Sequence, residues 1–199
     1  MDTKNDRILE KIAGASMEKC MAKLSGVSAG KWSVSTIRVS RCSMDEAVRG
    51  HAAGRAGAAV YFSVAGEYPF NSMVMFRPED VEIISRGFLG FSFSKLPGFG
   101  HAQELMLSEL GNIILNAFIS ALSNALRHSF LPSAPKCVNG EAEFLLEALW
   151  ETLPEGRPHS VVTMILDLKC DNSVTRSEVV AVIPESLEQA LASAAGQPG

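Results

Sequence analysis

Four polar side chains recur at helical spacing near the middle of the sequence. They are Glu109, Asn112, Asn116 and Ser120, three or four residues apart, so they share one face if this segment is a helix. A carboxylate can pair with a cation, and a side-chain amide can hold a water molecule without adding charge. Glu109 and Asn112 are therefore a candidate site that faces solvent or a partner. The alternative interpretation is an ordinary solvated stripe on an amphipathic helix.

The pattern around these residues predicts a long helix over about residues 102–128. Gly111 lies in its middle, where glycine costs about 1 kcal/mol relative to alanine. That cost indicates a close approach to the helix backbone at this point. A second stripe is apolar and is predicted to face the core; its members are Leu110, Ile113, Ala117, Ala121 and Ala125.

The predicted elements repeat after about 100 residues. The first copy has a helix (6–25), a strand (32–39), a connection marked by Gly50, Gly54 and Gly57, a hairpin (58–64 and 72–76) and a helix opened by Pro78. The second copy has a helix (102–128), an extended segment (136–138), a helix (142–149), a hairpin (160–168 and 174–183) and a helix after Pro184. We expect a single domain of two pseudo-symmetric halves, about 1–98 and 99–199.

This order of elements is typical of an α+β fold with antiparallel strand pairing. We expect an internally duplicated structure in which the two long helices pack on one side of the sheet. An overlay of the two long helices with an offset of 99 residues aligns Glu10 with Glu109 and Ala13 with Asn112. One half then keeps the pair, and the other keeps only its acid.

The second half resembles the CheC, CheX and FliY family, whose motif is Asp or Ser, three residues, Glu, two residues, Asn, twenty-two residues and Pro. Glu109, Asn112 and Pro135 match this spacing, whereas Leu105 occupies the place of the leading Asp or Ser. The first half offers Asp6 and Glu10 as a degenerate second site, with Ala13 and Thr36 in place of Asn and Pro. The layout is closest to CheC, and the shorter CheX form stays open.

The resemblance implies a CheC-like fold and a role in chemotaxis and two-component signalling. The activity implied is that of a hydrolase, a phosphatase that removes the aspartyl phosphate of the response regulator CheY. By resemblance, Asn112 positions the water and Glu109 pairs with a lysine of the regulator. The regulator carries its own Mg²⁺, so no cofactor of this chain is expected. The alternative is a non-catalytic adaptor that binds phosphorylated CheY or the receptor deamidase CheD.

Composition argues against other classes of partner. The 18 basic and 22 acidic residues give a net charge of −4 and form no basic stripe, so a nucleic acid is not expected. The polar start does not resemble a secretory signal, and no uninterrupted apolar run predicts insertion into a membrane. The spacing of the histidines predicts no metal site. The four cysteines are widely separated, which indicates reduced thiols in a cytoplasmic protein; they are Cys20, Cys42, Cys137 and Cys170.

Overall fold

A computed structural model describes residues 3–51, 57–91, 100–151, 153 and 158–195. The elements of the first half are α1 (Thr3–Val27), β1 (Trp32–Cys42), α2 (Met44–His51), β2 (Gly57–Ala65), β3 (Phe70–Phe76) and, after a 3₁₀ turn (Pro78–Asp80), α3 (Val81–Leu89). Those of the second half are α4 (Gly100–Leu126), β4 (Leu131–Pro132), β5 (Lys136–Gly140), α5 (Ala142–Glu151), β6 (His159–Cys170), β7 (Ser173–Pro184) and α6 (Glu185–Ala195). Apart from the short β4, the order helix, strand, helix, hairpin and helix occurs twice.

A capped helix, α2, begins where only a glycine-marked connection was expected. The Ser43 hydroxyl accepts a hydrogen bond from the Glu46 N–H at 3.3 Å, and the Ser43 N–H donates to Glu46 Oε2 at 2.8 Å. This reciprocal pair satisfies two backbone donors at the start of the helix. Gly50 lies within α2, Gly57 begins β2, and Gly54 lies outside the described residues.

The seven strands form one antiparallel sheet in the order β1-β6-β7-β3-β2-β4, with β5 also paired to β2. At its centre β3 pairs with β7, which joins the two hairpins. At its edges β1 pairs with β6, and β5 pairs with β2. Each half of the chain therefore adds one strand, β1 or β5, to the hairpin of the other half, and this exchange makes one continuous sheet.

Helices cover both faces of the sheet. The long helices α1 and α4 pack against each other on one face, where they share a large core with inward-facing residues such as Val60, Val74 and Met164. The predicted α+β fold, with the two long helices on one side, is confirmed. The short helices α2 and α5 bury Ala47, Leu146 and other residues in a smaller cluster on the opposite face.

α4 is apolar around much of its circumference because it lies between the sheet and α1. Its buried residues are Met106, Leu107, Leu110, Gly111, Ile114, Leu115, Phe118, Ile119 and Leu122. By length and composition alone it could cross a membrane, and it is the one such helix in the described part of the chain. Half of its most apolar stretch is buried inside the protein, as in a core helix.

Candidate functional site

Two contacts set the register of the long helices. The Ser16 hydroxyl donates to the carbonyl oxygen of Ala117, and the Cys20 thiol donates to that of Ile113, with 3.7 Å between sulfur and oxygen. From the first contact to the second, the residue number rises by four in α1 and falls by four in α4, so the helices are antiparallel. Continued along both helices, this register places Asn112 level with residue 21 and Glu109 level with residue 24.

A surface groove of about 910 Å³ runs between these two helices. Glu109, Asn112 and Asn116 line its α4 wall, together with Ser120. Glu109 is exposed and Asn112 is half-buried, so the structure brings the predicted pair together on an open face of α4. The predicted core stripe is confirmed in part. Leu110 is fully buried, and Ile113, Ala117 and Ala125 pack against the core while partly buried. These three residues and Ala121 also line the groove toward α1.

The side-chain amide of Asn116 restrains that of Asn112. The side-chain NH₂ of Asn116 donates to Oδ1 of Asn112 over 2.6 Å. A carbonyl oxygen has two lone pairs, so Asn112 Oδ1 retains one acceptor position for a water molecule. The contact also restricts the rotamer of Asn112, because rotation of its amide would break the bond. Asn116 is thus a positioning residue for Asn112, a role that its place in the polar stripe alone did not define.

Leu105 lies one turn before Glu109 and is 58% exposed. It is therefore outside the core, and its side chain adds an apolar surface beside the candidate site. Val27, at the end of α1, lines the same groove and is 69% exposed. The helix register places it level with residue 106, so the end of the groove next to Glu109 is flanked by apolar side chains.

The helix backbone at Gly111 meets the sheet. A Cβ at this position would lie 2.6 Å from Val60 Cβ and 2.8 Å from its Cγ1. Glycine allows α4 to lie close against β2, and this explains the close approach that the sequence indicated. The buried glycine therefore fixes α4 on the sheet while its neighbours Glu109 and Asn112 point outward.

Pro135 directly precedes β5, the strand that returns beside α4. Within β5, Cys137 pairs with Val60 of β2. Burial and the nearby Glu104 carboxylate raise the pKa of the Cys137 thiol, and a hydrogen bond with the Ser108 side chain opposes that rise. The segment that follows Pro135 thus lies next to the turn of α4 that bears Glu109.

Several solved structures share this architecture. FliY from Thermotoga maritima matches over 98% of this chain and 96% of its own, with 13% identity and a TM-score of 0.76. FliM from the H. pylori FliM–SpeE complex matches over the whole of both chains, with 11% identity and a TM-score of 0.64. CheX from Desulfovibrio desulfuricans matches over 87% of this chain and 99% of its own, with 13% identity and a TM-score of 0.54.

This chain has the CheC-like fold. No protein-family model and no curated protein matches the sequence significantly. At identities of 10–13% the structural likeness defines the fold alone. The fold expected from the sequence motif is therefore confirmed.

In this CheC-like fold, burial aligns the two long helices with an offset of 98 residues. The six buried residues among the described side chains of α1 then fall on buried residues of α4: Leu9, Ala13, Met17, Cys20, Met21 and Leu24 fall on Leu107, Gly111, Leu115, Phe118, Ile119 and Leu122. An offset of 99 would place five of the six on positions that are not fully buried.

This alignment corrects the sequence overlay by one residue. Ala13 is 1% exposed and corresponds to Gly111, not to Asn112. The counterparts of Glu109 and Asn112 are Lys11 and Gly14. The overlay failed because both helices are rich in apolar residues, so the sequence did not show which positions face the sheet.

The degenerate site proposed in the first half stays a prediction. Glu10 is exposed, and its carboxylate accepts a hydrogen bond from the Val39 N–H at 3.5 Å. With the offset of 98 it corresponds to Ser108. Asp6 falls within α1, but its side chain lies outside the described residues.

α1 contributes two residues to the groove that the sequence did not single out. They are Lys19 and Lys23, both exposed and one turn apart on the α1 wall. Between them, burial raises the pKa of Cys20 to about 11, so this thiol is protonated at neutral pH and adds no negative charge. The signal in the sequence was their spacing of four residues, which places them on one face of the first helix.

The groove holds no arrangement of side chains suited to a resident metal ion. Across the described ranges, no group of three or more His, Cys, Asp and Glu side chains could hold one. The polar side chains that line the groove are one carboxylate, three amides, two ammonium groups, two hydroxyls and one thiol.

Proposed function

We propose that this chain is a cytoplasmic chemotaxis protein that hydrolyses the aspartyl phosphate of a CheY-type response regulator. One observation carries the proposal: Glu109 and Asn112, which satisfy the motif spacing to Pro135, both line an open groove on the surface of α4. An amide in an open groove remains accessible to a loop or side chain of another protein. The CheC-like fold is consistent with this role.

In the proposed reaction, a water molecule attacks the phosphorus atom and the bond between phosphorus and the aspartyl oxygen breaks. The aspartate leaves as a carboxylate, and inorganic phosphate is released. Phosphoryl transfer is governed mainly by positioning and charge stabilisation, and the regulator supplies its own Mg²⁺. Asn112 contributes position: the remaining lone pair on Oδ1 accepts from the water, while Asn116 holds the amide in place.

Glu109 is assigned to docking rather than to the reacting phosphoryl group, whose oxygens carry the same sign of charge. Among the described residues no cation lies within 4.0 Å of its carboxylate, so the negative charge is available to a partner. A lysine beside the phosphorylation site of the regulator is the expected counterpart. Pairing with that lysine would fix the orientation in which Asn112 reaches the water.

The test is phosphate release from CheY labelled with acetyl phosphate, measured with and without this protein. The proposal expects faster release in its presence, together with weaker binding and slower release for Glu109→Gln. Glu104→Gln is the matched control, because Glu104 is an exposed acid on α4 that does not line the groove. Unaccelerated release by the wild-type protein would contradict phosphatase function.

A second candidate is a non-catalytic adaptor that binds phosphorylated CheY or the deamidase CheD. The observation that favours it is Leu105, because an exposed leucine beside Glu109 adds contact area but no hydrogen bond. The adaptor function predicts binding without accelerated release. Binding assays with CheY and CheD, run beside the phosphate-release assay, therefore separate the two candidates.

A further inference from the structure

Charge in the groove between α1 and α4 has the opposite sign to that of the whole chain. The charged residues that line the groove are Lys19, Lys23 and Glu109, a balance of +1, whereas the chain carries a net −4. No ion pair within 4.0 Å joins these three residues to one another or to other described residues. Two ammonium groups therefore face the groove without an internal carboxylate partner.

The register of the helices places these ammonium groups around Asn112. Asn112 is level with residue 21, midway between Lys19 and Lys23, so each lysine lies about 3 Å from that level along the helix axis. Packed helix axes are about 8–10 Å apart, and an extended lysine side chain can cross much of that distance. Both ammonium groups can thus reach a ligand held at Asn112. Glu109 is level with residue 24, one residue beyond Lys23, and no ion pair within 4.0 Å joins the two.

We propose that Lys19 and Lys23 form an anion subsite that binds the phosphoryl group of the protein substrate from the α1 side of the groove. This inference rests on the proposed function and extends it. The side-chain NH₂ of Asn112 donates to the same phosphoryl oxygens, and Glu109 binds the partner's cation further along. The first helix, which lacks the Glu and Asn pair, thereby takes part in the single site instead of forming a second one.

The physical reason is stabilisation of charge. Negative charge spreads over the equatorial phosphoryl oxygens during transfer, and cations supplied by a second protein stabilise it. Two lysines in an open groove act through water-screened Coulomb attraction, so their effect on binding is moderate and depends on salt. Each ammonium donates without needing the planar geometry of a guanidinium, which suits a ligand that enters from solvent.

The first experiment measures binding of the anion alone, independently of hydrolysis. Inorganic phosphate and, separately, acetyl phosphate are titrated into ¹⁵N-labelled protein while the side-chain NH₂ signals of Asn112 and Asn116 are followed by NMR. We expect saturable shifts in the wild-type protein. The double variant Lys19→Gln with Lys23→Gln should bind about tenfold more weakly. Lys11→Gln should titrate like the wild type, because Lys11 is an exposed lysine of α1 outside the groove.

A conservative double variant tests whether anion binding depends on the positive charge of the two side chains or on their shape. Lys19→Arg with Lys23→Arg keeps both charges, so it should retain binding within about twofold to threefold, and higher ionic strength should weaken wild-type binding. All three lysines are exposed, so these substitutions should leave the unfolding transition unchanged. Equal titrations for the wild type and the double glutamine variant would overturn the proposal, as would an absence of shifts at Asn112 and Asn116.

The second experiment asks whether the phosphoryl group is borne by a protein. Affinity is measured for CheY in its beryllofluoride-activated and unactivated forms, and the double glutamine variant should lose most of the wild-type preference for the activated form. An undiminished preference would overturn the protein-borne assignment. If phosphate binds through the lysines but CheY phosphate is not hydrolysed, the proposed function fails and the anion subsite stands. If hydrolysis proceeds and the glutamine variant matches the wild type in both assays, the subsite fails and the function stands.

Discussion

α1 and α4 present the same inner face and different outer faces. With an offset of 98 residues, the six buried residues described in α1 fall on six of the nine buried residues of α4, and Ala13 falls on Gly111. On the outer side, α4 carries Glu109 and Asn112, where α1 carries Lys11 and Gly14. The core therefore maintains the helix register in both halves, while the solvent-facing positions have diverged in charge and hydrogen-bonding capacity.

In the proposed function, this difference assigns separate tasks to the two helices. α4 supplies the amide and the carboxylate, and α1 supplies the lysines of the opposite wall. A side chain can contribute to the site only if its position on the helix directs it into the groove. A shift of one residue therefore decides whether a polar side chain lines the groove or is buried in the core.

The largest effect is expected for asparagine introduced into α1 at neighbouring positions. Ala13→Asn would bury an amide without designed partners in a packed core, at a cost of about 3 kcal/mol in the free energy of unfolding. Gly14→Asn should change that free energy by less than about 0.5 kcal/mol, because a Cβ there meets nothing within 4 Å. Urea unfolding of both variants measures the difference. Equal stability of the two would contradict the 98-residue alignment.

Smaller changes in the free energy of unfolding, opposite in sign to each other, are expected when each of two mid-helix glycines is replaced by alanine. Gly14→Ala should stabilise the protein by about 1 kcal/mol through helix propensity alone. Gly111→Ala gains the same propensity but forces its Cβ against Val60, so a net destabilisation of about 1 kcal/mol is expected. Thermal and urea unfolding give both values. Stabilisation by Gly111→Ala would show that α4 and β2 separate more easily than the packing indicates.

The smallest effect concerns Asn116, which acts through Asn112. Loss of one neutral hydrogen bond is worth about 1 kcal/mol, so Asn116→Ala should lower the dephosphorylation rate constant about fivefold with little change in KM. Ser120→Ala, one turn further along the same groove, is the control and should stay within twofold. A larger change in KM than in kcat would indicate that Asn116 contacts the partner directly.

Much of the fold followed from local patterns. Periodicity located the long helices and hairpins, and the repeated order of elements indicated antiparallel pairing, which the sheet shows. α2 was missed because three glycines suggested a connection, although Ser43 and Glu46 have the spacing of a capping box. The exchange of β1 and β5 between the hairpins depends on long-range pairing, which local patterns do not encode.

The sequence predicted the site residues on α4 but not those on α1. Helical spacing and the motif located Glu109 and Asn112, but nothing local indicates which helix packs beside them. Lys19 and Lys23 join the site only through the antiparallel packing of α1 and α4. The exposure of Leu105 and the contact of Gly111 with Val60 likewise depend on how α4 rotates against the sheet.

The most direct test of the central claim is the effect of Asn112→Ala on a phosphorylated CheY-type regulator. Phosphate release and affinity are measured on the same samples, with the affinity taken for the beryllofluoride-activated form. If Asn112 positions the attacking water, the variant should lose at least about a hundredfold in rate while its affinity stays within about threefold. An unchanged rate of phosphate release for Asn112→Ala would contradict the account.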